Sequence, residues 1–285
     1  MTFPSAPLVS TDWLAAHLDD PKLRILDASY RMPAMRPPTA AEQFAERHLP
    51  GAAFFDIDAV ADPTSSLPHM VPSPQEFAQQ VGALGVGDGC AVVVYDAGNY
   101  LGAPRAWWMF KLYGLAEVRV LEGGLAKWQA EGRAVASGAA AIQPARLTPH
   151  FEAERLRRIE QLIANLDSGH EQVVDARSRE RFEGAVAEPW PGRRSGRIPG
   201  SFNVPFNELI AADSTLKSPD ELRAIFAAAK VDLDRPIVTS CGSGVTAAVI
   251  TLALARLGVD RTALYDGSWA EWGLPDGPAL ATGPA

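Results

Sequence analysis

Cys241 is one of only two cysteines in a chain of 285 residues. It stands in "PIVTSCGSGVTAAVITLALARLG", between a β-rich apolar run and an apolar run of helical character. Cys241, Gly242, Ser243, Gly244, Val245 and Thr246 fill the junction. Glycines let the backbone curl there with successive N–H groups pointing inward. Such a nest, beside a helix N-terminus, stabilises an anion. The anion on offer is the Cys241 thiolate, the nucleophilic form of the side chain. A lone cysteine beside a strand is commonly a small buried hydrophobe; the glycine pair and the strand-to-helix position point instead to covalent chemistry. Cys90 has no such surroundings and reads as structural. It falls at the N-terminal end of its strand, roughly 17–20 Å from the other end at about 3.3 Å per residue.

The elements that position this loop occur twice. The first half contains "LRILDAS", "ERHLPGAAFFDID", "CAVVVYDAGN" and "VRVLEGGLAKWQAEG". The second half repeats the order with "EQVVDARS", "GRIPGSFNVPF", "PIVTSCGSG" and "TALYDGSWAEWG". Each copy alternates short Val/Ile/Leu-rich runs with amphipathic stretches, which predicts an α/β fold with a parallel sheet flanked by helices. Helices are expected at "STDWLAAHL", "SPQEFAQQVGALG", "APRAWWMFKLYG", "RIEQLIANL", "SPDELRAIFAAA" and "VTAAVITLALARLG". Several open on Ser, Thr or Pro and close on Gly. The small-residue segment around 133–148 reads as a linker. Domains are therefore expected at 8–135 and 150–280. Aligning the copies sets Asp96 where the second has Cys241, both at the C-terminal end of a buried strand, the side on which open α/β sheets bind ligands. The first copy reads as non-catalytic and the second as catalytic.

Composition narrows the class. Apolar residues make up 47% and charged residues 21%, as in ordinary globular proteins. A net charge of −8 argues against a nucleic-acid partner. The N-terminal twenty residues have no basic segment followed by an apolar core, so no secretory signal is expected, and no run has the length of a membrane span. Two cysteines make neither a disulfide framework nor a zinc site. A reduced, cytoplasmic protein without a membrane partner is expected.

The quoted motifs, with "RHLPGAAFFDID", "APRAWWMF", "GGLAKW", "VVDAR" and "RIPGSFNVPF", resemble the tandem-domain rhodanese family of sulfurtransferases over nearly the whole chain. The loop resembles the mercaptopyruvate group within it. The thiosulfate group typically carries a basic pair, "CRKGVT", where this chain has Gly242 and Ser243. The resemblance implies ping-pong sulfur transfer. The donor would be 3-mercaptopyruvate, the carrier a Cys241 persulfide, and the acceptor a thiol, such as thioredoxin or a small thiol, or cyanide. It implies no metal and no organic cofactor. It also implies catalytic roles for Cys241, Ser243, His69 and Asp58, the last three as a proton relay to the departing enolate. Arg181 would bind the substrate carboxylate, with Gly242, Gly244, Val245 and Thr246 forming the cradle. Taken alone, His69 reads as a solvated loop histidine and Asp58 as a turn residue.

One departure is plain. The group usually has a second arginine where this chain has Trp190, in "EPWPGRRSGRIPG". Either Arg193 or Arg194 replaces it, or the site has one arginine. Two alternatives to the mercaptopyruvate reading stand: a thiosulfate sulfurtransferase on the same scaffold, and a non-enzymatic sulfur-carrier module. A cysteine phosphatase fits poorly, since Thr246 and Ala247 stand where its loop would end in an arginine.

Overall fold

The computed structural model describes residues 6–32 and 37–284. Met1–Ser5, at the start of the stretch read for a secretory signal, lie outside the described residues. The chain forms two compact units. The first holds the described residues up to Asp62, with Val71–Glu152 and Ala211–Leu216. The second holds Pro63–Met70, Ala153–Ile210 and the described residues from Lys217 onward.

The first unit is built on strands β1 (Leu8–Val9), β2 (Leu23–Asp27), β3 (Ala53–Phe54), β4 (Ala91–Tyr95) and β5 (Val118–Leu121). Their order is β1-β5-β4-β2-β3, and every pairing is parallel. The second unit has β6 (Leu156–Arg157), β7 (Gln172–Asp175), β8 (Phe202–Asn203), β9 (Ile237–Ser240) and β10 (Thr262–Tyr265), in the matching order β6-β10-β9-β7-β8, again all parallel. The expected α/β class with two parallel sheets is thus what the chain adopts. The repeat holds to the residue: Asp27 pairs with Tyr95 and Asp175 with Ser240, so Asp96 and Cys241 follow equivalent positions on the central strand.

Helices cover the sheets. The first unit has α1 (Thr11–His17), α2 (Ala40–Glu46), α3 (Pro74–Ala83), α4 (Ala103–Leu112) and α5 (Gly124–Ala130). The second has α6 (Ile159–Ser168), α7 (Arg179–Phe182), α8 (Pro219–Ala228), α9 (Ala247–Arg256) and α10 (Ser268–Trp272). The start signals work as expected: Ser73 with Glu76, and Ser218 with Glu221, form reciprocal capping boxes, each followed by a proline. Helix α9 is buried from Ala247 to Leu254, consistent with its nearly uninterrupted apolar sequence. No helix among the described residues is long and apolar enough to cross a membrane.

The segment expected as a linker has no regular structure, but it is no free spacer. Ala136 exchanges backbone hydrogen bonds with His48, Ala145 N–H donates to Gly82 O, and Asp88 N–H donates to Arg146 O. A Cβ at Gly82 would lie 2.5 Å from Ala145 O, so glycine there permits the close approach. Small residues read as flexible are used here to lay the backbone against the first unit.

Candidate active site

Strand β9 is wholly buried and delivers Cys241 at its C-terminal end, 1% exposed. Gly244 has φ +76°, a left-handed turn that a glycine supplies without strain. The loop is tied down from α10. Cys241 N–H donates to Ser268 Oγ at 3.1 Å. Trp269 N–H donates to Cys241 O at 3.0 Å, and Ala270 N–H to Gly242 O at 2.7 Å. Val245 and Ser243 are buried and Thr246 is half-buried. Ser268 was not among the residues singled out in the sequence. The available signal was its place in "DGSWAEW", opposite Gly124 of the first copy.

The first copy shows what the amides of such a loop do. The Asp96 carboxylate accepts N–H groups from Gly98 and Tyr100 on one oxygen and from Gly102 and Ala103 on the other, at 2.9–3.3 Å. Leu125 N–H donates to Asp96 O, as Trp269 N–H does to Cys241 O. The first loop is an anion nest that carries its own anion.

Arg181 comes from α7, directly beyond β7. A Cβ built on Gly242 would lie 3.0 Å from Arg181 Nη2. The guanidinium therefore lies against the loop, in space that a side chain at 242 would contest. Glu188 holds it through Nε and Nη2, which leaves three of its five N–H groups uncommitted. The Glu188 carboxylate, its side chain fully buried, also accepts Arg177 Nη1 at 2.8 Å. Arg177 is equally buried, forks onto both oxygens of Asp175, and lies 4.2 Å from the Trp269 ring centroid. Burial opposes its charge, but Asp175 and Glu188 outweigh that and hold the guanidinium above its ordinary pKa. Sequence reasoning passed over Arg177 and Glu188. Their signals were an Asp-x-Arg that starts on the last residue of β7 and the Glu of "EPW".

His69, buried and with φ 61°, lies in Pro63–Met70, which packs with the second unit. Its Nδ1 is 3.0 Å from Ser243 Oγ. The expected pair is thus brought together, and burial replaces the solvated-loop reading of His69. Trp190 meets the same imidazole edge-on, with ring centroids 6.2 Å apart. Asp58 belongs to the first unit, is exposed, and donates its N–H to Asp56 Oδ1. Arg193 Nε donates to Ala270 O, and Arg194 Nη2 donates to Trp272 O and Pro278 O. Both arginines thus brace the chain around α10. Cys90, half-buried, immediately precedes β4.

Two parallel five-stranded sheets of the same order, one ending its central strand in a cysteine loop and the other in a carboxylate loop, define a tandem rhodanese. The rhodanese-like domain family matches residues 10–131 and 158–274, and the chain belongs to that family. It is 45% identical to the 3-mercaptopyruvate sulfurtransferase of Escherichia coli (strain K12) over 93% of this chain and 94% of that protein. It is also 45% identical to the thiosulfate sulfurtransferase of Cricetulus griseus, over 93% of this chain and 91% of that protein. The crystal structure of SseA from Escherichia coli superposes with a TM-score of 0.86 at 43% identity, covering 93% of this chain and 99% of that one.

Proposed function

We propose that the chain is a 3-mercaptopyruvate sulfurtransferase, with 150–280 as its catalytic domain and 8–135 as the non-catalytic copy. The Cys241 thiolate attacks the donor sulfur. A sulfur–sulfur bond forms as the carbon–sulfur bond breaks, and the electron pair leaves on the enolate of pyruvate. The enolate takes up a proton through Ser243, with His69 and Asp58 as the relay behind it. The loop amides of Gly242, Gly244, Val245 and Thr246 cradle the sulfur left on Cys241. A thiol acceptor, such as thioredoxin or a small thiol, or cyanide, then attacks the outer sulfur and restores the thiolate. The reaction uses no metal or organic cofactor and takes place in the cytoplasm.

The observation that carries the donor is the contact between Gly242 and Arg181. Glycine leaves room for a guanidinium beside the loop, with donors suited to a planar carboxylate. Thiosulfate has no carboxylate to use them. Equal identity to a thiosulfate enzyme keeps that donor as a second reading.

The test is turnover of both donors, joined to intact-mass measurement after incubation with donor alone. One added sulfur per chain is expected, absent in Cys241→Ser. Faster turnover of thiosulfate would overturn the donor assignment. Added mass on Cys90 would overturn the carrier.

A further inference from the structure

The equivalence of the two copies exposes a difference away from the sulfur chemistry. In the second unit, Arg177 fills the space between the Asp175 carboxylate and the Trp269 ring. In the first unit the three equivalent positions are Ser29, Asp27 and Leu125. The equivalence is fixed by hydrogen bonds, not by alignment alone. Ser29 N–H donates to Asp27 Oδ1 as Arg177 N–H donates to Asp175 Oδ1. Ala28 N–H donates to Tyr95 O as Ala176 N–H donates to Ser240 O. Both differences shorten the side chain, and both retract from the same place.

What remains is a cavity of about 320 Å³ lined by Asp27, Ser29, Gln43, Phe44, Glu46 and Leu125, among others. Asp27 is 2% exposed. Its carboxylate interacts with Ser29 and with the Tyr95 hydroxyl, and no cation of the described residues pairs with it. Arg47 also lines the cavity but is directed to Glu46, at 3.6 Å. The first unit thus keeps the buried carboxylate of the pair and has lost the guanidinium that answers it. A buried carboxylate without its counter-charge, at the wall of a cavity where the sister fold seats a guanidinium, is chemically complementary to that group. Phe44 contributes an aromatic ring to the lining and Gln43 an amide.

We propose that this cavity is a binding site for a guanidinium-bearing ligand, held by the Asp27 carboxylate in the way Asp175 holds Arg177. The guanidinium comes either from a small molecule or from an arginine side chain of a peptide; the chemistry at Asp27 is the same. The site is independent of the cysteine loop.

The test uses the full chain and three probes: methylguanidinium, free L-arginine, and the capped tripeptide Gly-Arg-Gly, with methylammonium as the comparison. Amide chemical shifts are followed by NMR during titration. Saturable shifts at Ser29, Ala97 and Ala126 are expected for the guanidinium probes, and weaker ones for methylammonium. A tighter tripeptide assigns the source to a peptide arginine; a tighter small probe assigns it to a free cation. Asp27→Asn, which keeps the shape, should weaken binding at least about 10-fold through loss of the charge-assisted contact. Ser29→Arg with Leu125→Trp, which rebuilds the second unit's arrangement, should abolish it. Both variants should keep wild-type sulfur transfer, which doubles as the check that they fold. Unsaturated or scattered shifts in the wild-type chain overturn the proposal. So does binding that survives the filled variant.

Discussion

His69 and Ser243 lie 174 positions apart in the chain, and His69 Nδ1 stands 3.0 Å from Ser243 Oγ. Both side chains are buried, at 6% and 8% exposure, so the pair is held away from bulk water. If the two act as one proton path, their losses overlap. Ser243→Ala and His69→Ala are each expected to lower kcat on mercaptopyruvate by roughly 10²-fold or more, the range of general acid catalysis. The double variant should lose little beyond either single one. Steady-state kinetics of the three variants decide it, and additive losses would mean independent roles.

Glu188 orients Arg181, and the kinetic signature should show this. Arg181→Ala is expected to cost roughly 10- to 150-fold in kcat/KM for mercaptopyruvate, the loss of a charge-assisted contact. Thiosulfate turnover should fall less. Glu188→Gln keeps shape and one acceptor oxygen, so it should raise KM for mercaptopyruvate while largely sparing kcat. A uniform fall on both donors in both variants would mark Arg181 as structural.

Gly242 is expected to set the choice of donor. A Cβ there would lie 3.0 Å from Arg181 Nη2, and a basic side chain adds charge repulsion to the crowding. Gly242→Arg with Ser243→Lys should therefore displace Arg181, cut mercaptopyruvate turnover and raise thiosulfate turnover. Measuring kcat/KM on both donors reads the ratio. An unchanged ratio would separate donor choice from the loop.

Arg177 bears on stability. Its side chain and that of Glu188 are fully buried, and that of Asp175 is 2% exposed. Arg177→Ala leaves two carboxylates buried without their shared cation, a loss on the order of 3–5 kcal/mol for a broken buried pair. Denaturant unfolding of the second unit's transition measures it. A loss below about 1 kcal/mol would mean that water or Arg181 takes over the neutralisation.

The fold was legible where periodicity had length to work with. The runs around Val92–Tyr95 and Val173–Asp175 read as buried strands, and the six expected helices, several with cap signals, formed where the sequence placed them. The edge strands β1, β3, β6 and β8 have two residues each, too few for any period. Helices α7 and α10, of four and five residues, are fixed by tertiary contacts such as those of Trp269 and Ala270 with the cysteine loop. The site divides the same way. Cys241 and Gly244 are marked by local backbone need, and Arg181 by the family motif. Glu188, Ser268 and Arg177 act by holding other groups, and a support role leaves a mark in sequence only when its partner is already known.

The carboxylate seated in the first loop also sets what the chain exposes to damage. A thiolate able to attack a donor sulfur is equally open to peroxides, alkylating agents and soft metal ions. By placing Asp96 on those four amides, the first copy retains the architecture of the loop and removes its vulnerability. A chain with two working loops would offer two targets to every electrophile. This one concentrates the hazard at Cys241, where 1% exposure limits which electrophiles can arrive.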